Sequence, residues 1–148
     1  MPERFDLEYR DKDDKHRRPV MIHRAVLGSF ERFIGILLEH TNGRLPTWLA
    51  PIQVRVLNFT DRNNKSVEKL TKKLVEEGIR AESDIRSEPL GGKVRDAELM
   101  RIPYIVTIGD REEKDGTVSV RIRGDNKLKT MKIDEFVEMI KEEIKERK

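Results

Sequence analysis

Val54-Arg55-Val56-Leu57-Asn58-Phe59 is the stretch that decides the fold, and it reads as a buried strand ended by a turn at Thr60-Asp61. Ser66 then caps a helix with Val67, Leu70, Leu74 and Val75 on one face, closed by Gly78. Ile79 to Ile85 alternates as a second strand. A Gly91-Gly92 turn opens a second helix carrying Val94, Ala97, Leu99 and Met100. That helix stops before Pro103, because the residue ahead of a proline is pushed out of the helical region. Tyr104 to Ile108 is an apolar strand, with Tyr104 placed in the core. Asp115-Gly116 is a hairpin signal leading into the alternating residues Val118, Val120 and Ile122. Ile133, Phe136, Val137, Ile140 and Ile144 form the stripe of a last helix. The order β-α-β-α-β-β-α predicts an α/β fold of three layers, α/β/α, around a mixed sheet expected to have five strands.

Upstream of this pattern, Leu45 to Pro51 carries two prolines around Trp48 and marks a boundary, giving domains at 1–50 and 51–148. From Ser29, the residues Phe30, Phe33, Ile34, Leu37 and Leu38 lie on one helical face, and Asn42-Gly43 stops the helix. Pro19-Val20-Met21-Ile22 is a short strand candidate. Residues 1–18 alternate in charge, with few apolar anchors, and read as a loop or frayed segment.

The 148 residues are 40% charged and carry a formal net charge of +3, too little to mark a nucleic-acid binder without a favourable distribution. The distribution is uneven. Arg121, Arg123, Lys127, Lys129 and Lys132 oppose only Asp125 within residues 120–132. Arg86, Lys93, Arg95 and Arg101 form a second cluster, diluted by Glu88, Asp96 and Glu98. Such groups engage phosphates without reading sequence. Aromatic residues are only 5%, which argues against a surface of several stacking rings. There is no cysteine, hence no disulfide and no thiolate metal site. No apolar run approaches the ~20 residues of a membrane span and nothing resembles a signal peptide, so a soluble cytoplasmic protein is expected.

His23-Arg24-Ala25, Gly28-Ser29, Glu31-Arg32-Phe33 and Pro46-Thr47-Trp48-Leu49-Ala50-Pro51-Ile52-Gln53 resemble the third signature motif of class II aminoacyl-tRNA synthetases and its exit. Gly78-Ile79-Arg80, Gly91 with Lys93-Val94-Arg95, Ile102-Pro103-Tyr104 and Gly109-Asp110 keep to the same pattern, which is most similar to the threonyl-tRNA synthetase family. The resemblance implies that residues 1–50 end a catalytic domain, as a strand-helix remnant, and that 51–148 form an anticodon-binding domain. It also implies that the first two class II motifs lie upstream, with Met1 an internal start. The intact enzyme would activate threonine with ATP and Mg, ligate it to tRNA(Thr), hold threonine on a zinc ion and work as a homodimer. This chain alone is expected to be inactive and to bear none of these cofactors.

By the same resemblance, Arg32 corresponds to the arginine that clamps ATP phosphate, Ser29 to a small polar residue near the substrate, and His23 to one zinc ligand. The other zinc ligands are missing, and neither His16 nor His40 has a spacing that replaces them. Base-reading positions map to Ser87, Arg95, Glu112 and Arg121. Ser87 stands where relatives often carry asparagine, so it offers fewer directed bonds. Arg121 and Arg123 share one face of an alternating strand, with Glu112 in the loop before it. Read without the resemblance, Gly28-Ser29 is a helix cap, Arg32 a solvated side chain, His23 a packed or surface histidine, and the basic positions ordinary surface. A stand-alone RNA-binding module, or an interaction domain using the Phe30–Leu38 helix, then remains open.

Overall fold

The computed structural model describes residues 1–125 and 127–147. The chain divides into two compact units, Met1–Ile36 and a second that begins at Leu37.

In the first unit the charged N-terminal segment is a small hairpin rather than a frayed loop. Strand β1 (Tyr9–Arg10) pairs antiparallel with β2 (His16–Arg17). Ion pairs close it: Arg10 meets Asp14 at 2.6 Å, and Arg17 meets Asp11 at 2.8 Å and Asp13 at 3.0 Å. Sequence periodicity is blind to such pairs. The strand expected at 19–22 is irregular, and Val20 and Ile22 are 89% and 86% exposed. No described strand lies beside this segment to take its backbone hydrogen bonds. Helix α1 (Phe30–Thr41) spans the division between the units and stops where expected. Asn42 and Gly43 both take positive φ, and the Gly43 N–H bonds the Leu38 carbonyl at 2.9 Å.

The second unit is a five-stranded mixed sheet in the order β4-β3-β5-β6-β7. Strand β3 (Val54–Asn58) is flanked in parallel by β4 (Ala81–Asp84) and β5 (Tyr104–Ile108). Antiparallel β6 (Thr117–Ile122) and β7 (Leu128–Lys132) complete it. Helix α2 (Asn64–Glu76) and α5 (Ile133–Glu146) cover one face through Val67, Leu70, Leu74, Phe136, Val137 and Ile140. Helix α3 (Leu90–Leu99) covers the other face with Ala97 against Leu57, Ile102 and Ile105. Helices on both faces make the three-layer α/β/α arrangement that the alternating pattern predicts.

Four local readings change. Helix α2 starts at Asn64, after a 3₁₀ turn at Asp61–Asn63, so Ser66 sits in its first turn and donates to Glu113 instead of capping. Gly91 and Gly92 lie within the first turn of α3, and Leu99 and Met100 are exposed rather than core. Asp115-Gly116 is not a hairpin turn but the end of a short helix, α4 (Asp110–Asp115), where Gly116 takes the left-handed conformation that a C-cap requires. Strand β7 has almost no apolar alternation and sits at the sheet edge, where lysines guard against pairing with other chains.

The proline-rich segment before β3 is fastened to the sheet side chain by side chain. Gln53 is fully buried, its carboxamide donating to the Thr47 carbonyl at 2.9 Å and accepting from the Arg80 N–H at 2.9 Å. The Arg80 guanidinium donates to the Ala50 and Trp48 carbonyls. Thr47 and Tyr104 both donate to the Glu143 carboxylate of α5. Replacing Gln53 by leucine keeps the volume but strands buried donors and acceptors. Gln53→Leu is expected to lower stability by about 2–4 kcal/mol, read as a lower urea midpoint at unchanged m-value.

Candidate nucleic-acid interface

The three positions of the first unit are all exposed. His23 lies in the irregular segment before α1. Ser29 caps α1, its Oγ accepting from the Arg32 N–H at 3.2 Å. The Arg32 guanidinium has no partner among the described residues. Nowhere among the described residues do three His, Cys, Asp or Glu side chains gather into a metal site, so His23 fits zinc only as one ligand of a set that this chain does not complete.

Of the four positions expected to read bases, Arg121, Arg95 and Glu112 lie about the α3 side of the second unit. Val118 and Val120 of β6 enter the core beneath α2 and α5, so Ser119 and Arg121 point to the opposite face, where α3 lies. Arg121 stands opposite Ile105 in the sheet register and pairs loosely with Glu98 of α3, at 3.7 Å. Arg95, one turn earlier on α3, is exposed and has no partner among the described residues. Glu112 is on α4, not in a loop, and reaches Ser119 Oγ at 2.8 Å while also accepting from the Gly109 N–H at 3.1 Å. Burial opposes its ionisation, yet these bonds prevail and hold its pKa below the usual carboxylate value. Each of its oxygens keeps a lone pair for a further donor. Ser87 is exposed in the loop that leads into α3 and touches none of the other three.

Arg123 lines the same cleft as Arg121, but its guanidinium is engaged by the backbone. Strand β6 has ended, and the Arg123 guanidinium turns inward to the Arg101 and Leu45 carbonyls, both at 2.6 Å. Its role is structural. A small cleft of about 170 Å³ runs beside Arg121, and Arg44 and Arg101 supply it with cations besides. Arg44 lies far off in sequence, outside both basic clusters. Of the second cluster, Lys93 is buried and Arg86 is tied to Asp84 and Asp96 at 2.7 and 2.8 Å.

The arrangement is a sheet face with a fixed carboxylate and a half-exposed guanidinium, flanked by further arginines. Residues 53–143 match the anticodon binding domain family. The chain belongs to that family. Residues 1–41 match the tRNA synthetase class II core domain of the G, H, P, S and T enzymes. Threonine–tRNA ligases of Clostridium acetobutylicum and Aquifex aeolicus are each 51% identical, over 99% and 98% of this chain. The chain spans about a quarter of their length, 23% in each case. The RNA-binding domain of threonyl-tRNA synthetase from Cryptosporidium parvum superposes over 95% of this chain and 36% of its own, with a TM-score of 0.75 at 33% identity. Prolyl-tRNA synthetase from the same organism shares the fold, with a TM-score of 0.67 at 20% identity over 97% of this chain and 32% of its own.

Asp84 gives this unit a measurable response to acid. Its hydrogen bonds to Arg86 lower its pKa, against the opposing effect of burial. The unfolded chain therefore takes up this proton first as the pH falls. The stabilisation is complete above the ordinary carboxylate pKa and disappears as pH falls through the lower folded value. Asp84→Asn is expected to lower the urea midpoint near pH 7 and to lose less than the parent between about pH 7 and about pH 3.

Proposed function

We propose that this chain is the C-terminal part of a threonine–tRNA ligase and that its own contribution is recognition of the tRNA(Thr) anticodon loop. The observation that carries the reading is that Ser119 and Arg121 project from β6 to the α3 face and Ser119 binds the Glu112 carboxylate, which sets a donor and an acceptor along one strand. An unstacked loop offers base edges to such groups. Arg121 is assigned to a base edge, because a planar guanidinium donates to two acceptors at once. Glu112 accepts from a base amino or imino group, Arg95 meets phosphate or base at the rim, and Ser87 adds a hydroxyl from the preceding loop.

Residues 1–50 then end the catalytic domain and 51–148 form the anticodon-binding domain. Within the whole enzyme, working as a cytoplasmic homodimer, Arg32 supplies a permanent positive charge to ATP phosphate and Ser29 holds the turn that presents it. His23 contributes one ligand to a zinc ion whose remaining ligands, and the Mg that accompanies ATP, are held elsewhere. Among the described residues no helix is long and apolar enough to cross a membrane.

Three outcomes are expected. Arg121→Ala weakens binding of tRNA(Thr) by about 1–3 kcal/mol and leaves an anticodon-swapped tRNA nearly unaffected, measured by filter binding at two salt concentrations. Equal loss on both tRNAs reduces Arg121 to a phosphate contact and overturns base reading. The chain by itself supports no threonine-dependent ATP–pyrophosphate exchange, and His23→Ala leaves its tRNA binding unchanged. Exchange activity in the purified chain would refute the assignment of catalysis to the larger protein.

A further inference from the structure

Helix α3 has two flanks, and only one of them faces Arg121. Glu98 points to Arg121, whereas Asp96 reaches Arg86 at 2.8 Å and Met100 reaches Arg55 at 3.4 Å. Residues two apart on a helix point in nearly opposite directions, so these contacts lie on opposite sides of α3. On the Asp96 side, along the edge strand β4, the structure holds an open cavity of about 710 Å³. Such a volume is typical of small-ligand sites.

The cations in this cavity are unevenly served: Glu82 faces Arg55 and three carboxylates hold Arg86, while Asp84 acts on Lys93 only from beyond ion-pair distance. Lys93 is 2% exposed, and its ammonium bonds only Asn58 Oδ1, with no carboxylate within ion-pair distance among the described residues. A buried ammonium with a single neutral partner is costly. Arg55 Nε is buried without any acceptor, while Nη2 meets Glu82 at 3.3 Å and the Met100 sulfur. The one buried carboxylate, Asp84, is already held by two nitrogens of Arg86. The outer wall is apolar: Leu99 and Met100 stand 69% and 56% exposed at the mouth, beside Ile85. Met100 covers the Arg55 guanidinium, and an unbranched thioether moves aside readily.

We propose that this cavity binds a nucleoside monophosphate unit, its phosphate against Lys93 and Arg55 and its base against Leu99 and Met100. The anion gives Lys93 a directly bonded negative partner and Arg55 Nε an acceptor. The flat base covers apolar surface now facing water. Free nucleotide and a nucleotide turned out of an RNA strand present the same chemistry. The cavity is lined by none of Arg121, Glu112, Arg95 and Ser87, so it stands or falls separately from base reading by those residues.

The test is a titration of the isotope-labelled chain with AMP, CMP and inorganic phosphate, followed by backbone amide shifts. Both nucleotides should shift Arg55, residues 83–86 and residues 96–100 saturably, with inorganic phosphate at least about tenfold weaker. Lys93→Met and Leu99→Asp should each weaken nucleotide binding about tenfold or more, and Arg121→Ala should leave it unchanged. Leu99 is exposed, so its replacement tests the cavity even if Lys93→Met perturbs folding. Displacement of AMP by an anticodon stem-loop RNA assigns the site to a strand nucleotide, and retention of AMP beside that RNA assigns it to free nucleotide. The absence of saturable shifts up to about 10 mM, shifts confined to the Arg121 face, or full affinity in Leu99→Asp would overturn the proposal.

Discussion

The sheet depends on Gln53 more than on any apolar residue. Its backbone N–H donates to the Arg80 carbonyl at 2.8 Å and its carbonyl accepts from the Tyr104 N–H at 3.1 Å, so it starts the pairing of β3 with both neighbours. Its side chain then holds Arg80 and Thr47. One buried residue thus sets Val54 opposite both Ala81 and Tyr104. A slip by one residue would turn each strand over. In the observed register Arg55, Leu57 and Ile105 face α3, and the β5–β6 pairing carries Ser119 and Arg121 to that same face. The position of the proposed base-reading arginine therefore follows from a carboxamide two strands away.

The same economy governs the arginines. Arg123 and Arg121 are two residues apart and chemically alike, yet one binds the backbone and the other is left to a ligand. The difference comes from the end of β6: beyond Ile122 the chain turns, and the Arg123 guanidinium reaches the Leu45 and Arg101 carbonyls. Arg101 itself is a non-glycine residue at φ +58°, the position after α3 where a glycine is usual. Its carbonyl is presented to Arg123 by that conformation. Proline-rich strap, helix end and strand end are thereby joined through a single side chain.

What the sequence revealed and what it concealed divide along physical lines. Phe136, Val137 and Ile140 announce α5 because burial repeats with the helical period, whereas Val54, Val56 and Leu57 announce β3 as a short, nearly continuous buried run. Helix α4, with the sequence Asp-Arg-Glu-Glu-Lys-Asp, has no apolar residue to repeat. It is set by the Glu112 carboxylate folding back on the Gly109 N–H and by the left-handed Gly116. That same left-handed preference makes Asp-Gly a hairpin signal, and composition alone does not say which use is made of it. The buried polar residues were hidden for a further reason. Gln53, Asn63 and Lys93 are types that pattern reading sends to the surface, and each bonds a partner far away in sequence. Asn63 bonds Asp110 and Glu113 across some fifty residues, separations of 47 and 50.

Function in such a charged chain is legible only after its charges are paired off. With 31 lysines and arginines against 28 carboxylates, composition gives almost no field to argue from. Many cations prove to be employed by the fold: Arg17 in its hairpin, Arg80 and Arg123 on carbonyls, Arg86 on three carboxylates, Lys73 and Lys141 bridging α2 and α5. Those with no protein partner, or only a loose one, carry the information. Arg95 and Arg121 are of this kind and share the outer side of α3 with the fixed Glu112 carboxylate. A phosphate backbone attracts every exposed cation alike, whereas a base edge selects the cation whose direction is fixed. Arg121 meets that condition because it projects from a strand whose register is held on both sides. Arg95, on the free side of a helix, does not, and the contact proposed for it, to phosphate or base at the rim, is accordingly less selective.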